Sequence, residues 1–260
     1  MKFWNFKAKK DDNRAELTLY GEISDTTWWG DEITPKEFKA DLDALGDVEQ
    51  IDIYINSPGG DVFAGESIYN MLNRHKARKI VHIDGIAASI ASIVAMVGDE
   101  IIMPENAMLM IHEAWTFIGG NKRELRDMAE NLERIDDSLT GVYVARTGKN
   151  AADIAAMMQA ETWMTAKEAV EMGFADRVEE NKKIAASMKG KVLLMNGIHF
   201  NLAQYSNAPE IAPCNGAEKQ PVEEIPPEDT GKENALKAQR EMFNNTRDKI
   251  MKTYEKENAK

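Results

Sequence analysis

Apolar residues along this chain keep switching between a spacing of two and a spacing of three to four, and that switch restricts the fold more than any other feature. In QIDIYIN, Ile51, Ile53 and Ile55 alternate with polar or amphipathic neighbours, the pattern of a strand. Ahead of it, Thr34-Pro-Lys-Glu37 reads as a capping box with proline at the first helical position, and Phe38, Leu42 and Leu45 share one helix face until Gly46. Behind it come a Gly-rich turn, a helix through Ile68, Met71 and Leu72, a strand at KIVHID, and an apolar helix in GIAASIASIVAMVG, residues 85–98. EIIM and MLMIH read as two more strands. Strands joined mostly through helices predict an α/β fold.

A long helix is expected from Asn121 to about Thr147, with Leu125, Met128, Leu132, Ile135, Leu139 and Val142 on one face and charge on the other. Thr165-Ala-Lys-Glu168 is a second capping box, opening a short helix stopped at Gly173. The folded unit is assigned to residues 15–205, after an N-terminal segment 1–14. Residues 206–231 then hold five of the eight prolines and six acidic side chains against one lysine, the composition of a flexible acidic linker. Residues 232–260 are basic and helix-prone, with Leu236, Phe243, Ile250 and Tyr254 on one stripe. This tail is read either as a tethered element that docks on a partner through its stripe and its eight basic against five acidic residues, or as a solvated, partly frayed helix or a disposable spacer that is trimmed away.

Composition narrows the function. The longest apolar stretch, Ile86 to Val97, is too short to span a bilayer, and the N-terminus lacks the pattern of a cleaved leader, so a cytoplasmic location is expected. A net charge of −12 disfavours nonspecific attraction to nucleic acid or anionic membrane. One cysteine, Cys214, and four histidines argue against disulfides and structural zinc, and no metal or other cofactor is expected.

Three short features carry chemistry. Ser89 stands at the start of an apolar helix, where it is either a helix cap or a nucleophile beside outward-pointing amides. A nucleophile needs a base. His75 lies in a charged helix end, His82 on a strand face and His199 past the second capping box, whereas His112 ends the apolar strand MLMIH and faces a loop, Glu113 to Gly120. Strand ends of this kind present chemistry in α/β folds, although a structural histidine fits there as well. Asn56-Ser-Pro-Gly-Gly60 is either an ordinary turn or a set of amides open to an anion, and it lacks the ending of a Walker loop.

The order YINSPGG, then GxAAS before a helix, then a strand ending MIH, then a long amphipathic helix, then TWMTAKEAVEMGFAD resembles the ClpP-type serine peptidases, the Clp protease proteolytic subunit family, over roughly residues 15 to 180. Within it the chain looks most like the phage and prophage head maturation proteases, which carry the ETWMTA form and a C-terminal extension. The resemblance implies a ClpP/crotonase-like spiral of strand-helix units, with residues 121–147 as the handle helix through which seven-membered rings stack. It implies Ser89 as nucleophile, His112 as general base, and the amides of Gly60 and Ile90 as oxyanion hole. The family usually has aspartate two residues before the aromatic of the last motif; here Glu161 stands at that place, and Asp176 is the alternative carboxylate. Substrates would be proteins. Partners would be further copies of the chain, together with capsid or scaffold proteins or an ATP-driven unfoldase, since the chain has no Walker motif of its own. Two other classes stay open: a crotonase-type acyl-CoA enzyme, which would not need Ser89 and His112 together, and a noncatalytic ring-forming assembly protein.

Overall fold

A computed structural model describes residues 2–9, 13–24, 35–180, 186–195, 198–203 and 205–209. The chain divides into two units, Met1–Gly216 and Ala217–Lys260. The second unit and residues 210–216 lie outside the described residues, and with them the helix expected over 232–260 and most of the 206–231 linker.

The first unit opens with β1 (Trp4–Lys9) and β2 (Arg14–Tyr20), an antiparallel pair in which Trp4 is buried. The N-terminal segment set apart in the sequence is therefore an edge strand of the main sheet. Helix α1 (Pro35–Asp43) buries Phe38 and Leu42; its expected cap, Thr34, is outside the described residues. Strand β3 (Gln50–Ser57), helix α2 (Val62–Arg74), strand β4 (Arg78–Ala88) and helix α3 (Ile90–Ala95) follow. Strands β5 (Glu100–Pro104) and β6 (Met108–Ile111) precede α4 (Lys122–Thr147) and α5 (Ala151–Gln159). Strand β7 (Thr162–Thr165), helix α6 (Ala166–Glu171) and strand β8 (Arg177–Glu179) complete the main sheet. Strands β9 (Ala186–Lys189), β10 (Val192–Met195) and β11 (Ile198–Asn201) form a separate antiparallel sheet.

The architecture is α/β. The main sheet runs β1-β2-β3-β4-β5-β8, and β6 branches from β4 to pair with β7. Strand β4 makes the branch because it is long enough for two partners. Ile80–His82 pair with β5, and Ile86–Ala88 pair with β6. Between those halves the register with β3 jumps, from Ile55↔Ile83 to Ser57↔Ala87, so β4 spends two extra residues there. Such a bulge strands backbone groups. The buried Asn56 side chain satisfies one of them by accepting from the Ile86 N–H at 3.3 Å.

This corrects one reading of the sequence. Residues 85–88 are the end of a strand and not part of the apolar helix read over 85–98, which begins only at Ile90. A run of small, buried residues is compatible with either state, and pairing to β6 decides it. The capping box expected at Thr165 with Glu168 forms, and the long helix expected from Asn121 opens on a further one, Asn121 with Glu124. The first half of α4 leaves its apolar stripe open, with Leu125 45% exposed, while Leu139 and Tyr143 near its other end are buried. Among the described residues, no helix is long and apolar enough to cross a membrane.

Candidate active site

Ser89 occupies the N-cap position of α3 but does not cap it. Its side chain makes no bond to the helix, and its backbone holds φ 56° and ψ −134°, a combination rarely adopted by a residue with a Cβ. Strain of this kind costs on the order of 1–3 kcal/mol and persists only where the surroundings enforce it. Here the enforcing contact is sheet pairing. Ala88 lies opposite Met110, and the Ser89 N–H donates to the Met110 carbonyl at 3.0 Å. His112 is two residues further along the chain, so the same pairing brings imidazole and serine together. His112 Nε2 lies 2.8 Å from Ser89 Oγ.

Helix α3 is fixed from behind. Ser92 Oγ donates to the Ser89 carbonyl at 2.6 Å and lies 2.7 Å from the hydroxyl of the buried Tyr143 on α4. On the other side of His112, the Ala114 N–H donates to Asp136 on α4 at 2.7 Å. Burial pushes the His112 pKa below its ordinary value, and the charge of Glu161 opposes this to a smaller extent. A neutral imidazole beside a hydroxyl is the protonation state that a general base requires.

The Pro-Gly-Gly turn packs directly onto the serine. A Cβ on Gly59 would lie 2.6 Å from Ser89 Cβ and 2.7 Å from the Ala88 carbonyl, and one on Gly60 would lie 1.9 Å from the Ile23 carbonyl. Both glycines also have positive φ, 99° and 143°. Ile23 donates to the Gly59 carbonyl and accepts from the Asp61 N–H, at 2.7 and 2.8 Å, so the Gly60 N–H takes no part in that bridge. Ile90 is the first residue of α3, a position whose N–H has no acceptor within the helix.

The two carboxylates are placed differently. Asp176 accepts from the Ile101 N–H at 2.6 Å and pairs with Arg146, tying the end of α4 to β5. Glu161, at a positive φ of 50°, accepts from the Ser206 N–H at 2.9 Å, the Asn207 N–H at 2.6 Å and the Trp163 indole at 3.2 Å. Among the described residues it makes no hydrogen bond to His112, and its effect on the imidazole is through charge. The boundary assigned after residue 205 thus falls inside a contact with the folded unit. The remaining histidines serve elsewhere: His75 accepts from the Ala77 N–H, His82 stacks on Tyr54, and His199 is exposed on β11.

The residues missed by sequence reasoning are Asn56, which braces the bulge, and Tyr205. The Tyr205 ring meets His112 edge-to-face at 5.5 Å and Trp163 at 5.6 Å. No local pattern around Tyr205 signals this, because its partners are distant in sequence.

A family model described as Clp protease matches residues 30–182, which contain Gly60, Ser89, Ile90, His112 and Glu161. This chain belongs to the Clp protease family. Similar relatives include the ATP-dependent Clp protease proteolytic subunit of Streptococcus sanguinis (strain SK36), 31% identical over 148 residues, which are 55% of this chain and 76% of that protein. The subunit of the same name from Streptococcus pneumoniae (strain Hungary19A-6) is 32% identical over 148 residues, 55% of this chain and 75% of that protein. Membership of the Clp protease family supports a serine-protease function, and the branched sheet is consistent with the fold expected for it. Strands β9–β11 and residues 205–209 lie beyond the matched range.

Proposed function

We propose that this chain is a serine endopeptidase in which Ser89 is the nucleophile and His112 the general base. The observation that carries the reading is the 2.8 Å contact between Ser89 Oγ and His112 Nε2, made by a serine that stands at a helix cap without capping it. Ser89 Oγ attacks the scissile carbonyl as His112 Nε2 takes its proton, and the imidazolium then returns that proton to the leaving amine. Water repeats the sequence on the acyl-enzyme and frees the serine. Gly60 and Ile90 supply the N–H groups for the oxyanion; the absence of side-chain room at Gly60 and the helix-start position of Ile90 support this role. Glu161 stabilises the imidazolium by its charge rather than by contact. A crotonase-type reaction would leave the Ser89–His112 pair without a task.

The enzyme works as a homo-oligomer, with heptameric rings stacked through α4. The exposed Leu125 on that helix, and Trp115, Phe117 and Ile118 in the loop before it, support an interface there. Its substrates are proteins. The ETWMTA form and the C-terminal extension favour a phage head maturation protease acting on capsid or scaffold proteins in the host cytoplasm or procapsid. The second reading, degradation with an ATP-driven unfoldase, is favoured by the name of the streptococcal relatives. A fluorophosphonate probe tests the chemistry. It should label wild-type protein at Ser89 and leave Ser89→Ala unlabelled; absence of labelling in the wild type overturns the peptidase assignment. Co-sedimentation with procapsids against stimulation by an unfoldase and ATP separates the two settings.

A further inference from the structure

Tyr205 lies outside the family-matched residues, yet it touches three separate parts of the site. Its hydroxyl donates to the Pro58 carbonyl, in the turn before the two glycines, at 2.5 Å. Its ring meets His112 at 82° and Trp163 at 79°, and the residue is only 2% exposed. Its backbone is held as well: the N–H donates to the Leu202 carbonyl at 3.1 Å, and the carbonyl accepts from Lys191 Nζ at 2.9 Å.

The segment around it is seated on the same machinery. Asn56, which braces the bulge ahead of Ser89, donates through Nδ2 to the Met195 carbonyl on β10 at 3.3 Å. Met195 Sδ fills the space in front of Gly85. Past Tyr205, two successive amides hold Glu161, and Asn207 Nδ2 donates to the Ala160 carbonyl at 2.9 Å.

An imidazole base must be kept in one rotamer, and a carboxylate on its second nitrogen is one way to do so. In this chain the Glu161 oxygens are taken up by N–H donors from Ser206, Asn207 and Trp163. A packed aromatic wall is another way, since an edge-to-face pair restricts ring rotation and contributes on the order of 1 kcal/mol beyond burial. We infer that Tyr205 is a positioning residue for His112, and that residues 186–209 are a working part of the catalytic site. This rests on the peptidase reading for its consequence in turnover but not for the contact itself. Tyr205 also shields the imidazole from water. Among the described residues, the charge acting on that ring is Glu161, so opening the wall and removing that charge shift the base in opposite directions.

The test uses the full chain with Tyr205→Ala, Tyr205→Leu and Tyr205→Phe, a short fluorogenic peptide, and an NMR titration of the His112 ring. Tyr205→Ala should lower kcat about a hundredfold with little change in KM, the usual cost of a base misplaced by about an ångström. Its His112 pKa, read by NMR and by the acid limb of kcat/KM, should rise toward the ordinary histidine value. Tyr205→Phe keeps the ring and loses only the Pro58 bond, so it should recover most of the rate. If Tyr205→Ala does not fold, Tyr205→Leu keeps apolar bulk without the aromatic edge and should show the same kcat loss. Wild-type kcat in the folded variant overturns the inference, as does faster turnover, which would make the segment a cover over the cleft. If wild-type protein turns over no peptide, the peptidase reading fails while NMR still decides the contact: an unchanged His112 pKa in the alanine variant, or unchanged His112 ring chemical shifts in the leucine variant, overturns it.

Discussion

Two groups act on His112 from two flanks of the chain: Ser89, delivered by strand pairing, and Glu161, which acts through its charge and is held by residues far along the sequence. The Ser89 side is built from neighbouring elements. Strand β6 sits beside the second half of β4, the Ser89 N–H bonds to Met110, and His112 follows two residues later. The Glu161 side depends on Ser206 and Asn207, 45 and 46 residues away in sequence. The first flank is therefore as robust as the sheet itself. The second is only as robust as the seating of one short segment.

Removing the proposed nucleophile gives the largest effect expected on the first flank. Ser89→Ala should cost about a million-fold in peptide turnover, as losses of a serine nucleophile do, with an unaltered melting temperature because alanine occupies the same space. Residual turnover near the wild-type rate would break the assignment at its centre. Gly59→Ala tests the packing of that flank without removing a reacting group; its methyl would also come within 3.1 Å of Ser89 Oγ. The added methyl meets Ser89 Cβ and the Ala88 carbonyl, so about a hundredfold loss of kcat is expected at unchanged oligomeric state.

On the second flank the expected effects are smaller. Glu161→Gln should lower kcat by about tenfold, well short of the ~10⁴ seen when a contacting carboxylate is neutralised. The pH profile sharpens this further. Burial lowers the His112 pKa below 6.5, so the acid limb of wild-type kcat/KM should fall below that value, and because the Glu161 charge raises the imidazole pKa, its removal should move the limb lower still. Asp176→Asn should leave the limb where it is, since that carboxylate is engaged by Ile101 and Arg146. A loss near 10⁴ from Glu161→Gln would mean that the carboxylate reaches His112 during turnover, and the two flanks would then be alike.

The brace between the flanks is Asn56. Asn56→Ala strips the Ile86 N–H of its acceptor in a buried bulge, which should cost about 1–3 kcal/mol in a denaturant melt. The smallest effect is expected from shortening the chain after Pro209. Tyr205 through Asn207 remain in place, so peptide turnover should stay at the wild-type level, whereas ending the chain after Leu202 should resemble Tyr205→Ala.

Much of this was legible in the sequence because it depends on local periodicity and short motifs. Ile51, Ile53 and Ile55 announce a strand, the apolar spacing from Leu125 to Val142 announces the long helix, Thr165 with Glu168 announces a helix start, and the motif order picks out Ser89 and His112. Local patterns could not tell the end of β4 from the start of α3, since Gly85 through Ala88 are small enough for either. They also could not assign the carboxylates. The motif position favours Glu161 over Asp176, but what each carboxylate does depends on which donors the fold brings within reach.

The sequence alone determined the α/β class, the helix caps and the residue types available for chemistry, because these follow from side-chain spacing within a few residues. Only the tertiary structure decided that Ser89 leaves its helix uncapped, that β4 splits between β5 and β6, and that Tyr205 backs the imidazole. Each of those depends on hydrogen bonds and packing between positions dozens of residues apart, and no local spacing encodes which distant partner will be there.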